Sequence, residues 1–116
     1  MNDEADSLGT GGRQLFDEMS LEEDSYELTS LIVETCRVKD RLDLCHRVLS
    51  GENALWMRLV PSRGDSTVLE VRIDSAAQES RQLLTVYRQM LAEIKRRRAD
   101  DVEPGAGGYG NPLDDL

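Results

Sequence analysis

Apolar side chains recur at alternating intervals of three and four residues between positions 28 and 49. This spacing places them on one side of a helix and forms a heptad seam. Two serines offer a start for that helix: Ser20 opens a Ser-Leu-Glu-Glu capping box, and Ser25 lies just before the seam. Gly51 follows the seam as a C-cap, so we predict one helix of about 25 residues here.

A second seam runs from position 76 to position 94, and its helix is predicted to begin at Asp74 or Ser75. Because each helix has one apolar seam, we expect the two to pack as an antiparallel, coiled-coil-like hairpin. Seams of this length also leave apolar surface for other copies of the chain. We therefore predict oligomerisation through nine seam residues: Leu28, Leu31, Val38, Leu42, Leu49, Leu83, Tyr87, Met90 and Ile94.

Between the two helices, apolar and polar residues alternate with period two. The alternation covers residues 55–60, stops at a Pro-Ser-Arg-Gly sequence, and resumes over residues 68–73. Period two on both sides of a turn predicts a β-hairpin, with position 59 opposite 69 and position 57 opposite 71. The predicted fold is therefore mainly α: a two-helix hairpin with a β-hairpin inserted between the helices.

Charge divides the chain into three parts. The 116 residues carry a net charge of −9, with −7 in residues 1–25, +3 in 26–99 and −5 in 100–116. Both ends combine acids with glycines and bury too little apolar surface to offset the entropy of ordering. We predict a flexible acidic arm at 1–20, a helix–β-hairpin–helix oligomerisation core at 21–99 and a flexible acidic tail at 100–116. A short docking turn at residues 15–19 is the alternative for the arm.

Composition and motifs exclude several classes of function. There is no run of 18 uncharged apolar residues and no secretory signal pattern, so we expect no membrane span and a reducing cytosol for the two cysteines. Nucleotide-binding, zinc-protease and serine-hydrolase motifs are absent. Cys36 and Cys45 are nine residues apart and so lie on opposite sides of one helix, which prevents a shared zinc ion. We predict no catalytic residue, no metal site and no cofactor.

Basic residues gather near the end of the second helix. Four follow one another at positions 95–98, more than a helix C-terminus needs to balance its dipole, although solvation of that end is the plainer interpretation. A second group, Arg37, Lys39 and Arg41, is interleaved with acids and is typical of an ion-paired surface. We predict that DNA phosphates contact seven cations: Lys95, Arg96, Arg97, Arg98, Arg88, Arg81 and, in the predicted turn, Arg63.

The acidic tail ends with apolar groups that a purely solvating segment does not need. A short motif of this kind can dock into a groove of a partner while its acids steer it toward a basic surface. We predict a protein-binding role for four of these residues: Tyr109, Pro112, Leu113 and Leu116.

Six stretches of the chain follow one another in a recognisable order: Glu34-Thr35-Cys36-Arg37, Asp40-Arg41-Leu42-Asp43, Leu49-Ser50-Gly51, the segment 56–73, Glu79-Ser80-Arg81-Gln82, and residues 88–94 before the basic end. In their order and spacing, residues 26–98 resemble the small terminase subunits of tailed bacteriophages, especially phages that infect actinobacteria. Many members of that family carry an N-terminal helix-turn-helix for DNA, whereas residues 1–25 here are acidic and contain glycines.

The resemblance implies a protein that is not an enzyme. Small terminase subunits form homo-oligomeric rings, recognise double-stranded viral DNA and present it to the large terminase subunit, whose ATPase and nuclease package it into the procapsid. The resemblance also implies the cytoplasm of an infected bacterium as the location, and absence from the mature virion. The alternative is a helical-hairpin adaptor or antitoxin-like module that binds a protein. A ring of many copies would favour the first, and a dimer or tetramer the second.

Overall fold

A computed structural model of the chain describes residues 3–52 and 66–102. These residues contain no strand and form four helices: α1 (Asp3–Asp6), α2 (Thr10–Met19), α3 (Tyr26–Leu49) and α4 (Ser66–Val102). The mainly α class is therefore confirmed. The longest helix, α4, has 37 residues, yet no helix in the described ranges is both long and apolar enough to cross a membrane.

The helix α3 begins and ends at strong sequence signals. Ser25 is its N-cap, since the Oγ atom accepts a hydrogen bond from the N–H of Leu28 at 3.1 Å. At the other end Gly51 has a φ of 80°, a left-handed conformation that glycine adopts at little cost. The N–H groups of Gly51 and its successor then bond to carbonyls of the last turn, as in a Schellman motif. Of the two predicted starts, Ser25 is correct, whereas Ser20 is the C-cap of α2.

The predicted β-hairpin is wrong. Residues 68–73, assigned to its second strand, lie in α4, while residues 53–65, with the predicted first strand and turn, lie outside the described residues. The error arises because Leu69, Ile73 and Ala76 are also spaced four and three apart, and so extend the helical seam. Ile73 packs against the apolar cluster at the C-terminal end of α3. Helix extension adds one hydrogen bond per residue, which outweighs the small helical penalty of valine and isoleucine.

Two apolar clusters hold α3 and α4 together as an antiparallel pair. The first joins the N-terminal half of α3 to the C-terminal half of α4 and contains Leu28, Ile32, Cys36 and Ile94. The second joins the opposite ends and contains Cys45, Val48 and Ala76. Between them Arg41 donates two hydrogen bonds to Glu79, at 2.5 and 2.9 Å. This ion pair is largely exposed, so it fixes the register of the helices more than it stabilises them.

Residues 10–19, predicted to lie in a flexible arm, instead form α2 and pack against α3. Asp40 of α3 caps the N-terminus of α2, because its two carboxylate oxygens accept the N–H groups of Gly9 and Gly12, each at 2.7 Å. A carboxylate here satisfies free N–H groups and complements the helix dipole. No local signal predicts this cap, since 28 residues separate Asp40 from Gly12.

The contact between α2 and α3 also requires glycine. Gly12 is buried, and a Cβ atom there would lie 2.7 Å from the carbonyl oxygen of Cys36. Leu15, Phe16 and Met19 then pack against the first apolar cluster. These three side chains supply the buried apolar surface that orders the segment. The Gly-Thr-Gly-Gly sequence therefore allows α2 to pack closely on α3 and is not a flexible linker.

Candidate nucleic-acid interface

Six of the seven cations predicted to bind DNA lie on α4, and Arg63 lies outside the described residues. The six fall into two groups of three. Arg96, Arg97 and Arg98 form ion pairs within the chain, whereas the other three do not pair with any described residue. A cation held by a carboxylate must give up that contact before it binds a phosphate. The two groups therefore differ as candidates for DNA binding.

Arg96 and Arg97 share one carboxylate. Arg96 Nη2 lies 2.6 Å from Glu93 Oε2, and Arg97 Nε donates to the same oxygen at 2.9 Å. Arg96 also approaches Asp100, at 3.3 Å. The hydrogen bonds from Arg96, and then from Arg97, lower the pKa of Glu93. The carboxylate stays ionised at neutral pH and compensates much of the charge of the two arginines.

Arg98 links the end of α4 to the turn between α2 and α3. Its Nη2 atom donates to Asp24 Oδ2 at 2.8 Å and to the carbonyl oxygen of Met19. The side chain of Asp24 is 4% exposed, and the same Oδ2 atom accepts the N–H of Leu21 at 2.8 Å. A carboxylate buried in this way is costly without its cation. Arg98 thus stabilises the fold by joining the end of α4 to the turn before α3.

The remaining three cations, Arg81, Arg88 and Lys95, lie along one line of α4 that we call the basic row. All three are exposed and are spaced seven residues apart. Each step along the row advances about 10.5 Å and rotates by about 20° around the helix. The row therefore presents three cations on one side of α4 over about 21 Å.

The local sequence explains why the basic row is unpaired. A cation on a helix reaches carboxylates three or four residues away. The residues at those distances from the row carry no acid: Ala77, Gln78, Leu84, Thr85, Leu91, Ala92, Arg98 and Ala99. The run at 95–98 is denser in cations, but Glu93 and Asp100 lie within reach of it. The spacing of carboxylates, more than the density of cations, is the sequence signal that separates the two groups.

Most other cations of the described residues are also paired. Exposed pairs join Arg13 to Asp6 and Asp17, Arg37 to Glu34, Lys39 to Asp43, Arg41 to Glu79 and Arg47 to Glu52. The ion-paired surface predicted around Arg37, Lys39 and Arg41 is confirmed. Arg72 forms no ion pair with a described residue, but it lies nine residues from Arg81 and so about half a turn around α4.

Four of the nine predicted oligomerisation residues take part in the packing of α3 on α4. Leu28 and Ile94 are 3% and 2% exposed in the first cluster, Leu31 packs against that cluster, and Leu83 packs against the second. Leu49 is 40% exposed. The other four are half-buried: Val38, Leu42, Tyr87 and Met90. Part of each seam is thus used within one chain.

Both cysteines are buried. Burial, with smaller contributions from Asp40 and Asp17, raises the pKa of Cys36 to about 11. The pKa of Cys45 is also raised, first by burial and then by Glu79. Thiols with raised pKa values are protonated at neutral pH and are weak nucleophiles. Within the described part of the chain, no group of three or more His, Cys, Asp or Glu side chains is placed to hold a metal ion.

The four predicted partner-binding residues of the tail, Tyr109, Pro112, Leu113 and Leu116, lie outside the described residues. No protein-family model matches this chain, and no curated protein or solved structure matches it. The basic row and the antiparallel helix pair are the structural observations that bear on function.

Proposed function

We propose that this chain is a small terminase subunit. It is not an enzyme: its copies form a ring that binds double-stranded viral DNA and presents it to the large terminase subunit, an ATPase and nuclease, for packaging into the procapsid. It acts in the cytoplasm of the infected bacterium. The observation that carries this proposal is the basic row of α4, three exposed cations that no described carboxylate neutralises.

The basic row suits the DNA backbone better than the run at 95–98 does. Phosphates bind cations without regard to base sequence, and each contact releases a counterion from the duplex. Arg81, Arg88 and Lys95 can make this contact without breaking an ion pair to another described residue. Arg96 and Arg97 would first have to leave Glu93, and Arg98 would have to expose Asp24.

Oligomerisation makes such a small site effective. Three phosphate contacts correspond to a salt-dependence slope of only about −2.7 for one chain. The chain as a whole carries −9, so a single copy is repelled by DNA outside the row. Several copies that present their rows to one duplex act together, and their effective concentration multiplies the weak single contacts. The proposed ring and the proposed DNA site therefore depend on each other.

A triple substitution tests the DNA site. Arg81→Ala, Arg88→Ala and Lys95→Ala are combined, and binding to a duplex is measured between about 50 and 200 mM salt, the range over which such contacts weaken strongly. The matched control combines Arg37→Ala, Arg47→Ala and Arg72→Ala, which removes the same charge from other surfaces. We expect the row variant to lose affinity and to flatten the slope by about 2.7 units for each copy that contacts the duplex, with a much smaller effect in the control.

Equal loss in the two triple variants would contradict the site, because the effect would then come from net charge alone. Native mass is measured on both variants, so that a loss of assembly is not taken for a loss of phosphate contacts. If the unaltered chain does not bind DNA and forms only a dimer or tetramer, the adaptor or antitoxin-like alternative replaces the terminase proposal.

A further inference from the structure

The helix α4 contains a short internal repeat. Residues 81–87 read Arg-Gln-Leu-Leu-Thr-Val-Tyr and residues 88–94 read Arg-Gln-Met-Leu-Ala-Glu-Ile, and we call these the two Arg-Gln repeats. The third and seventh positions of each repeat belong to the seam and are buried or half-buried: Leu83, Tyr87, Met90 and Ile94. The first two positions are exposed in both repeats. Packing on α3 accounts for the seam positions and leaves the repeated Arg-Gln pair without a role in the fold.

The repeats place a line of amides beside the basic row. Consecutive residues of a helix are about 100° apart around its axis, so Gln82 lies beside Arg81 and Gln89 beside Arg88. The two glutamines are seven residues apart, which separates them by about 10.5 Å along the axis on one side of α4. At the next step Lys95 continues the basic row, but Arg96 takes the place of the glutamine and pairs with carboxylates of α4. The line of amides therefore has two members.

The surface around the two repeats presents no negative charge. None of the exposed residues of α4 between positions 75 and 92 is acidic, although the chain has 23 aspartates and glutamates. The two carboxylates at the edges of this surface are half-buried and already paired: Glu79 with Arg41, and Glu93 with the arginines that follow it. This side of α4 can therefore approach a polyanion with cations and amides alone.

The two amides are free to bind a ligand. The side chains of Gln82 and Gln89 form no hydrogen bond with another described residue, whereas the hydroxyl of Thr85 donates to the carbonyl oxygen of Arg81 at 3.4 Å. A glutamine amide offers a donor and an acceptor side by side. Adenine presents the complementary pair in the major groove, because its N7 atom accepts a hydrogen bond and its N6 amino group donates one.

We propose that the Arg-Gln repeats read DNA sequence in the major groove: Arg81 and Arg88 contact phosphates, and Gln82 and Gln89 each bind the edge of an adenine. The inference rests on the proposed function for its ligand, duplex DNA, and adds the residues that distinguish one sequence from another. The groove is about 12 Å wide and admits a helix, and α3 packs on another side of α4. A step of about 10.5 Å corresponds to about three base pairs, which sets the spacing of the two adenines.

Phosphate and base contacts have different signatures. Contacts with phosphates fix the position of a helix on the duplex and carry no sequence information, whereas contacts with base edges supply the specificity. Each phosphate contact releases a counterion and so steepens the salt dependence of binding. A neutral amide releases none. Loss of the glutamines should therefore change the choice of sequence, and loss of the basic row should change the slope of the salt dependence.

A double substitution tests the proposed base contacts. Gln82→Ala is combined with Gln89→Ala, and Gln14→Ala, an exposed change on α2, is the control. Alanine favours a helix at least as well as glutamine does, so the fold is retained, and the midpoint of thermal unfolding checks this. Repeated selection of bound duplexes from a pool of random sequences identifies the duplex that the unaltered chain prefers. The affinity of each variant is then measured for that duplex and for a scrambled duplex of the same composition.

We expect the selected duplex to contain two A·T pairs about three base pairs apart. The ratio of the two affinities should fall by about 5-fold or more for each glutamine removed, while the slope of the salt dependence stays unchanged. The Gln14→Ala control should keep the ratio of the unaltered chain. A double variant that keeps its preference for the selected duplex, or a control that loses the preference equally, would overturn the proposal.

The outcomes separate the base contacts from the proposed function. If the unaltered chain binds the random pool through the basic row but enriches no sequence, the proposed reading of adenines is wrong, and DNA binding through phosphates stands. If the unaltered chain binds no duplex of the pool even at low salt, the proposed function fails and the repeats lose their ligand with it.

Discussion

Ion pairing distinguishes, residue by residue, the cations of the fold from those available to a ligand. On α4, Arg96 and Arg97 share Glu93, and Arg98 is bound by Asp24, whereas the basic row pairs with no described residue. The local pairs follow from acids three or four residues away, so they can be foreseen from the sequence. The pair between Arg98 and Asp24 joins residues 74 positions apart and cannot be foreseen from the sequence.

Arg98→Ala should therefore act on stability before it acts on DNA binding. It leaves Asp24, 4% exposed, without its cation and frees the carbonyl of Met19. Loss of a hydrogen-bonded charge of this kind costs about 2 to 3 kcal/mol. We expect a clear fall in the midpoint of thermal unfolding. The slope of the salt dependence of DNA binding should change by less than the roughly 0.9 units of one phosphate contact.

Arg97→Ala is the control for Arg98→Ala, because it removes the same group from a more exposed pair with Glu93. This substitution should lower the free energy of unfolding by less than about 1 kcal/mol. If the two variants unfold at the same temperature, and Arg98→Ala weakens DNA binding as much as the row variant does, Arg98 belongs to the DNA site and not to the fold.

At the scale of elements, local signals predict helices well and misjudge their extent. Ser25 and Gly51 mark the ends of α3 because caps are formed by neighbouring residues. The start of α4 is missed because residues 68–73 satisfy a period of two as well as the helical seam, and only the contact of Ile73 with α3 decides between them. α2 is missed because Asp40, the residue that caps it, lies on another helix.

Gly12→Ala tests the docking of α2. The new methyl group meets the carbonyl oxygen of Cys36 at 2.7 Å, and backbone there cannot move without disturbing α3. Overpacking of this kind costs about 1 to 3 kcal/mol, more than the roughly 1 kcal/mol by which alanine favours a helix over glycine. We expect faster amide hydrogen exchange in α2 and a lower unfolding midpoint.

Gly11→Ala is the matched control one residue earlier. A Cβ atom there meets the side chains of Asp43 and Lys39, which can rotate away. The helical preference of alanine should then prevail, and the variant should be as stable as the unaltered chain or slightly more so. If the amides of α2 exchange equally slowly in both alanine variants, the close packing of Gly12 on α3 is not what keeps α2 docked.

At the scale of the whole molecule, the charge distribution matters more than its sum. A chain with a net charge of −9 is a poor ligand for DNA, yet α4 presents one line of cations with no acid within helical reach. The antiparallel pairing of α3 and α4 buries one side of α4 in two apolar clusters and leaves the basic row exposed. The sequence predicts the two seams and, through the spacing of acids on α4, its unpaired cations, whereas the pair between Arg98 and Asp24 depends on a contact between distant parts of the chain.

The central claim is that many copies of this chain bind one DNA duplex together. Native mass spectrometry of the full chain, alone and with a duplex of about 30 base pairs, tests it most directly. We predict a single assembly of several 13.0 kDa chains that gains the mass of one duplex, and that loses the duplex as salt is raised. A monomer or dimer whose mass is unchanged by DNA at low salt would contradict the account.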